Sequence, residues 1–153
     1  MKTLVLGIGN LLMGDEGVGV RAVERLLATN LADQADLVDG GTGGLNLLPY
    51  FGEYPRIILV DAASDGQPAG TVSLIRPRFP ADFPATLTAH DIGLRDVVEA
   101  AVLMGDRPEV LLVTVSIDKV QPMTLDLSRP VLAALDEVER VVRQAVSGSS
   151  RPA

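Results

Sequence analysis

The sequence predicts a three-layer α/β/α fold around a mixed five-stranded sheet, and three observations lead to this prediction. Short apolar runs alternate with stretches of helical periodicity along the chain. The run RIILVDA at 56–62 is continuous and rich in β-branched residues, as in a strand buried on both faces. The connection ASDGQPAG that follows is shorter than the roughly dozen residues of a parallel crossover, so the fourth strand should run antiparallel to the third.

The first half of the chain is expected to hold three strands and two helices. An apolar run closed by glycine predicts a buried strand at 3–8, and apolar residues at helical spacing predict a helix at 15–29. A second strand is predicted at 35–39, before the stretch GGTGG. The segment LNLLPYF at 45–51 is assigned to a short helix, and 56–62 to the third strand.

The second half completes the sheet and the helices that cover it. Strand four is predicted at 71–77, and a loop with several prolines leads to a helix at 90–104 whose apolar stripe faces the core. Strand five is predicted at 109–117. Ser128 is a favourable N-cap residue, and Pro130 suits the first turn of the helix that follows.

Length and composition predict one globular domain. The chain has 153 residues, of which 47% are hydrophobic and 22% charged, and this is enough apolar material for a full core. We assign residues 1–146 to a single α/β domain, and residues 147–153, with the sequence SGSSRPA, to a flexible C-terminal tail.

Charge and cysteine content exclude several classes of function. The net charge of −7 argues against non-specific binding to nucleic acid or to an anionic membrane. The absence of cysteine excludes disulfides, thiolate zinc sites, iron–sulfur clusters and cysteine nucleophiles. The amino terminus lacks the pattern of a signal peptide, and no apolar run reaches the roughly 20 residues of a membrane span. We therefore expect a cytoplasmic protein, acting as a monomer.

The stretch GIGNLLMGDEGVGV near the amino terminus matches a dinucleotide-binding turn only in part. Gly7 and Gly9 fit the G-x-G-x-x-G fingerprint, but Leu12 occupies the place of the third glycine. Asp15 and Glu16 would repel a pyrophosphate at the N-terminus of the helix. The chain also has no P-loop and no G-x-S-x-G or H-E-x-x-H motif, which argues against nucleotide hydrolysis, serine hydrolysis and the common zinc proteases.

A metal-binding interpretation fits this stretch better. Glu16 follows strand one, Asp61 closes strand three, and His90 opens the helix before strand five. The carboxyl ends of parallel strands meet at one edge of such a sheet, where ligands bind. Two carboxylates and an imidazole suit a borderline divalent ion and leave positions open for substrate. Taken singly, each residue also has an ordinary structural interpretation, and for Asp15 the favoured one is a cap of the first helix.

Four segments together resemble the hydrogenase maturation endopeptidases. They are GIGNLLMGDEGVGV, DGGTGG, ILVDA and AHDIGLRDVV, in this order and at roughly this spacing. The resemblance extends from Lys2 to about Val142, which is nearly the whole chain. It implies a three-layer fold of the phosphorylase/hydrolase-like type, including an antiparallel fourth strand.

The resemblance also implies an activity and its site. Such proteins are cytoplasmic endopeptidases that remove a short C-terminal extension from the precursor of a [NiFe]-hydrogenase large subunit once nickel has been inserted. The metal positions of the family map onto Glu16, Asp61 and His90, of which Glu16 and Asp61 are the catalytic candidates. The substrate-recognition loop of the family maps onto the DGGT segment, which consists of Asp39, Gly40, Gly41 and Thr42. The nickel belongs to the substrate, so the isolated protein is expected to be metal-free.

Several alternatives stay open at the level of the sequence. Glu16 or Asp61 serves either as a metal ligand or as the base that activates water. The chain is alternatively a non-catalytic nucleotide- or metal-binding module using the same edge, or an assembly partner that holds the precursor without cutting it. The stretch VSIDKVQPMTLDLS departs from the family pattern of a glycine followed soon by a proline, so substrate contacts are not carried over to it.

Overall fold

The computed structural model describes residues 2–83, 93–121 and 123–148, and this part of the chain contains a five-stranded sheet. The strands are β1 (Thr3–Ile8), β2 (Asp36–Gly41), β3 (Arg56–Ala63), β4 (Val72–Ile75) and β5 (Glu109–Ser116). Their order across the sheet is β2-β1-β3-β5-β4, and only the β4–β5 pair is antiparallel. The predicted mixed sheet with an antiparallel fourth strand is thus confirmed.

The described residues include four α-helices, two on each face of the sheet. They are α1 (Val18–Leu27), α2 (Leu48–Glu53), α3 (Leu94–Leu103) and α4 (Arg129–Ser147). Helices α1 and α4 pack on one face, and α2 and α3 pack on the other. Within these described ranges, no helix has both the length and the apolar character needed to cross a membrane.

The core is divided by the sheet into two apolar clusters. Ile58 and Val60 of β3 pack toward α1 and α4, whereas Ile57 and Leu59 pack toward α2 and α3. All four side chains are fully buried. Because both faces of the sheet are covered, β3 is a continuous apolar run rather than an alternating one. This arrangement confirms the three-layer α/β/α architecture.

The first helix begins later than the sequence predicts. Residues Gly14–Gly17 form a 3₁₀ turn, and the regular helix extends only over Val18–Leu27 rather than over 15–29. Neither the turn nor α1 has a side-chain cap at its N-terminus, so the assignment of Asp15 as a cap of the first helix was wrong. The Asp15 carboxylate bonds instead to a segment far away in the sequence, which leaves the start of α1 without it.

Two further boundaries differ from the prediction. Strand β4 is shorter than the predicted 71–77, because its pairing with β5 stops at Ile75. Helix α3 begins at Leu94 rather than near residue 90. The segment 90–92 of that predicted helix lies outside the described residues.

The last helix begins where the sequence predicts. Ser128 is its N-cap residue, with extended backbone, and Pro130 lies in its first turn. The hydroxyl of Ser128 makes no capping hydrogen bond to the helix, and it donates to Asp15 Oδ2. Helix α4 continues to Ser147, and residues 149–153 of the predicted tail lie outside the described part of the chain.

Candidate active site

Glycines hold the loop after β1 against the sheet and against the turn that carries Glu16. A Cβ added at Gly9 would lie 2.1 Å from the Glu16 carbonyl oxygen, and one added at Gly19 would lie 2.2 Å from the Val60 carbonyl oxygen. Gly9 also has φ +151°, a backbone conformation that residues with a Cβ atom rarely adopt. The 3₁₀ turn therefore packs closely on the C-terminal half of β3, and the backbone of Glu16 is held there.

Asp61 lies near the end of β3 and forms the second half of a carboxylate pair with Glu16. Its side chain is half-buried, and its Oδ1 accepts a hydrogen bond from the Ala62 N–H at 2.8 Å. Burial, assisted by the negative charge of Glu16 and opposed by the Ala62 N–H, raises the pKa of Asp61 to about 8. The two carboxyl groups therefore interact electrostatically, and a cation between them would relieve this repulsion.

The DGGT segment ends β2 beside the same loop. A bulge at Gly40 interrupts the pairing with β1. Asp39 Oδ1 accepts from the Gly41 N–H at 2.8 Å, and the Gly41 carbonyl accepts from the Gly9 N–H at 2.9 Å. A cavity of about 190 Å³ separates the two segments, and Asn10, Leu11, Asp39 and Thr42 contribute to its lining. Asp39 and Thr42 are thus exposed to solvent beside this cavity.

Asp15, the neighbour of Glu16, has a structural role. It is 2% exposed. One carboxylate oxygen accepts from the Ser128 N–H at 2.7 Å, and the other accepts from the Ser128 hydroxyl at 2.7 Å and from Gln121 Nε2 at 3.0 Å. The Asp15 N–H in turn donates to Gln121 Oε1 at 2.9 Å. These hydrogen bonds therefore connect the stretch VSIDKVQPMTLDLS, which departs from the family pattern, to the 3₁₀ turn that contains Glu16.

The predicted ligand set is brought together only in part within the described residues. Glu16 and Asp61 lie at the C-terminal ends of the parallel strands, as predicted, with Asp39 to Thr42 at the same edge. His90 lies outside the described residues. In the parts of the chain that are described, no group of three histidine, cysteine, aspartate or glutamate side chains is arranged to hold a metal ion. The carboxylate pair provides two oxygen donors of the kind that a divalent ion accepts, and His90 stays a predicted third ligand.

Sequence reasoning missed the partners that surround the carboxylates. Gln121 and Ser128 are ordinary polar residues in the sequence, and only the fold brings them to Asp15. Thr114 of β5 is the register partner of Asp61 and is 1% exposed. Its position in an otherwise apolar strand, LLVTVS, was the one available signal, since a buried central strand seldom includes a hydroxyl without a partner.

Comparison with known sequences identifies similar proteins over nearly the whole chain. A family model described as hydrogenase maturation protease matches residues 20–145. A hydrogenase expression/formation protein, HupD, of Rhizobium leguminosarum bv. viciae is 37% identical, over 99% of this chain and 79% of the relative. The hydrogenase 2 maturation protease of Escherichia coli K12 is 36% identical, over 95% of this chain and 99% of the relative.

Solved structures show the same similarity. The hydrogenase maturating endopeptidase HybD from Escherichia coli superimposes with a TM-score of 0.77 at 33% identity, covering 95% of this chain and 94% of that protein. A hydrogenase 2 maturation peptidase from Thaumarchaeota archaeon SCGC_AB-539-E09 superimposes with a TM-score of 0.74 at 30% identity, covering 98% of this chain and 100% of that protein. Both the fold and the sequence thus match peptidases of hydrogenase maturation.

Proposed function

Because this chain belongs to the hydrogenase maturation protease family, we propose that it removes the C-terminal extension from the nickel-loaded precursor of a [NiFe]-hydrogenase large subunit. Membership of the family makes it an endopeptidase, a hydrolase of peptide bonds. The precursor, its nickel, the cytoplasmic location and the monomeric state are parts of the proposal that the resemblance supports.

One observation supports the site most directly. Glu16 and Asp61 come from different elements, yet they interact at the C-terminal edge of the sheet, where such folds bind ligands. The DGGT segment borders the same edge and leaves a cavity beside the loop after β1. A carboxylate pair beside a recess at the same edge of the sheet suits a peptidase that acts on a metal-containing substrate.

The reaction assigned to this site is hydrolysis of one peptide bond. Glu16, Asp61 and His90 engage the nickel that the precursor carries, and this contact sets the position of the scissile bond. Water attacks the carbonyl carbon of that bond, and a carboxylate of the pair accepts the proton of the water. The C–N bond breaks, and the departing amine nitrogen takes up a proton.

Selectivity for the loaded precursor has a simple electrostatic basis. Without nickel, the tail would meet a cleft in which burial and the charge of Glu16 keep Asp61 in its neutral form. With nickel, the positive charge would favour the ionised form of Asp61, and the metal would hold the tail in register with the DGGT segment. The glycines of that segment allow the backbone of the tail to approach closely.

The alternatives considered from the sequence are less favoured. The family to which the chain belongs is one of proteases, not of nucleotide-binding modules. An assembly partner that holds the precursor without cutting it could use the same carboxylates to bind nickel, but the relatives are named as proteases. The protease and the non-cutting assembly partner can be distinguished in cells by deletion. Deletion of a protease leaves the tail on the large subunit, and mass spectrometry detects that tail.

The decisive experiment is processing in vitro. Purified protein is incubated with nickel-loaded and nickel-free precursor, and the products are weighed by mass spectrometry. We expect trimming of the loaded form only. Glu16→Gln, Asp61→Asn and His90→Ala should each slow trimming by about 100-fold or more, because each removes a group that acts on the substrate nickel or on water.

The control is Asp33→Asn, which makes the same chemical change as Asp61→Asn at an exposed position. It should leave the rate of trimming unchanged. If all three site variants trim the loaded precursor at the wild-type rate, the assignment of the site is wrong. Micromolar affinity for NAD or ATP would argue for the binding-module alternative instead.

A further inference from the structure

Thr114 occupies the position beside Asp61 on the neighbouring strand. In the parallel pair β3–β5, Asp61 and Thr114 are register partners, so their side chains project from the same face of the sheet. Adjacent strands lie about 4.8 Å apart, a spacing that a hydroxyl and a carboxylate can bridge with one hydrogen bond. Ser73 of β4 is the antiparallel partner of Thr114 on its other side.

The hydroxyl of Thr114 is buried without a hydrogen bond to any residue that the structure describes. Thr114 is 1% exposed, and its Oγ1 has no hydrogen-bond partner among the described residues. It is the one buried side-chain polar atom of which this is true in the described part of the chain. The other buried hydroxyl of β5, on Ser116, donates to Asp65 Oδ2 at 3.1 Å. Buried hydroxyls normally have partners, so there should be a physical reason for an orphan one.

Packing does not supply that reason. The neighbours of Thr114 along the same face of β5 and β3 are the fully buried Leu112 and Leu59, both of the α2–α3 cluster. Valine has the shape of threonine and would fill the space without bringing an unsatisfied polar atom into the core. Thr114 therefore has a hydroxyl that no described residue binds, at the position of β5 that is paired with Asp61.

We propose that Thr114 is a positioning residue of the peptidase site, and that its hydroxyl donates a hydrogen bond to the Asp61 carboxylate when that carboxylate engages the nickel of the precursor. The contact would leave one carboxylate oxygen free for the metal and fix the rotation of the carboxyl group, as partners of metal ligands generally do. This inference rests on the proposed function, since it assumes that Asp61 acts on the substrate nickel.

The test compares Thr114→Val with Thr114→Ser. Valine keeps the shape and removes the hydroxyl, whereas serine keeps the hydroxyl and removes a methyl group. We expect kcat/KM for the nickel-loaded precursor to fall by about 10- to 100-fold in Thr114→Val and to stay within a few-fold of wild type in Thr114→Ser. The urea midpoint of Thr114→Val should equal or exceed that of wild type, because the orphan hydroxyl is gone.

Thr3→Val is the matched control. Thr3 is also buried, at 5% exposure, but it lies at the start of β1 on the opposite edge of the sheet. The control should retain full activity. Should Thr114→Val fail to fold, Thr114→Ala replaces it, since alanine and serine both lack the methyl group and differ only in the hydroxyl.

The outcomes separate this inference from the function on which it rests. If Asp61→Asn is inactive but Thr114→Val cleaves within about twofold of wild type, the positioning role is wrong and the protease function stands. An equal loss in Thr114→Ser and Thr114→Val also overturns it, because the hydroxyl would then be irrelevant. If Asp61→Asn cleaves like wild type, the proposed site fails, and the role of Thr114 fails with it.

Discussion

At the scale of single residues, the charged form of Asp61 that the proposed chemistry needs is the form that destabilises the folded protein. Burial raises its pKa to about 8, from the 3.8 of an ordinary aspartate, so the folded protein favours the neutral form. The native state must bury a charge if Asp61 is to work as a carboxylate in neutral solution. This is the pattern expected of a site whose partner, a cation, arrives with the substrate.

The raised pKa predicts how stability depends on pH in protein kept metal-free by a chelator. The neutral Asp61 contributes fully to the free energy of unfolding below about pH 3.8. This contribution is lost as the pH rises to about 8, because Asp61 of the unfolded chain releases its proton at a lower pH than Asp61 of the folded protein. Asp61→Asn cannot ionise, so it should gain stability relative to wild type as the pH rises from 5 to 8. Urea unfolding at half-unit pH steps measures the difference.

Asp33→Asn is the control, since it makes the same exchange on the surface. Its stability should follow that of wild type across the whole range. A difference between Asp61→Asn and wild type that does not change with pH would show that burial of this carboxyl has no such effect.

At the residue scale, the sequence predicted candidate acids but not their surroundings. Glu16 and Asp61 were predicted from strand ends, and the charge of Glu16 contributes to the raised pKa of Asp61. Asp15 was expected to cap the first helix, because a carboxylate before an apolar periodic segment is ordinarily a cap, and this expectation was wrong. Its true partners, Gln121 and Ser128, are 106 and 113 residues away, and no local pattern reveals such a contact.

At the scale of elements, helix α1 depends on Gly19 for its close approach to the sheet. A methyl group there would lie 2.2 Å from the Val60 carbonyl oxygen and 2.4 Å from that of Ile8, both backbone atoms that cannot move aside alone. Gly19→Ala should push α1 away from the sheet, shift the turn that presents Glu16, and lower the free energy of unfolding by about 1–3 kcal/mol. The urea midpoint of unfolding and the rate of trimming should both be lower than in wild type.

Gly52→Ala provides the comparison for this helix substitution. Gly52 lies in α2, and an added methyl group would meet only the flexible side chain of Asp106, at 3.3 Å. Alanine favours helix more than glycine does, so stability should be unchanged or raised by about 1 kcal/mol. If Gly19→Ala were equally harmless, the close contact between α1 and the sheet would not control the site.

A second prediction at this scale concerns the connection between the 3₁₀ turn and α4. Asp15→Ala would leave the N–H and hydroxyl of Ser128 and the amide of Gln121 without their acceptor. We expect a loss of about 2–4 kcal/mol, because these are hydrogen bonds to a buried charge. Ser128→Ala, which removes only the hydroxyl bond, should cost about 1–2 kcal/mol.

A double-mutant cycle separates a direct contact from two independent effects. The losses in Asp15→Ala and Ser128→Ala should fall short of additivity by about 0.5–3 kcal/mol in the double variant, since the second change has no bond left to break. Strict additivity would mean that the two residues stabilise the fold separately. The measurement is the free energy of unfolding in urea for the four proteins.

The elements themselves were predictable to different degrees, for physical reasons. Strands buried on both faces, such as β3, have an unmistakable apolar pattern, and the short connection after it revealed the antiparallel β4. The boundary of α1 was placed too early, because Asp15 and Glu16 resemble the acidic first turn of an α-helix although they lie in a 3₁₀ turn. The bulge at Gly40 was missed as well, because it arises from pairing with β1.

On the scale of the whole molecule, the two edges of the sheet, at the C-terminal and N-terminal ends of its parallel strands, differ in the groups that they hold. The C-terminal edge holds the carboxylate pair and the DGGT segment. The opposite edge holds an ion-pair group in which Glu109 contacts Arg56 at 3.5 Å and Arg76 at 3.1 Å. Arg56 is only 6% exposed, which makes its charge dependent on this partner. Stability and catalysis should therefore be separable by edge.

Glu109→Ala tests that separation. It removes the carboxylate partner of the nearly buried Arg56 guanidinium. We expect the free energy of unfolding to fall by about 1–3 kcal/mol, between the values for exposed and buried pairs, because Glu109 itself is 37% exposed. Arg76→Ala, which breaks only the outer pair, should cost less than about 1 kcal/mol. Both variants should trim the loaded precursor within about twofold of the wild-type rate at a temperature where they are folded. A loss of trimming in Glu109→Ala as large as that in Gly19→Ala would show that the site depends on both edges of the sheet.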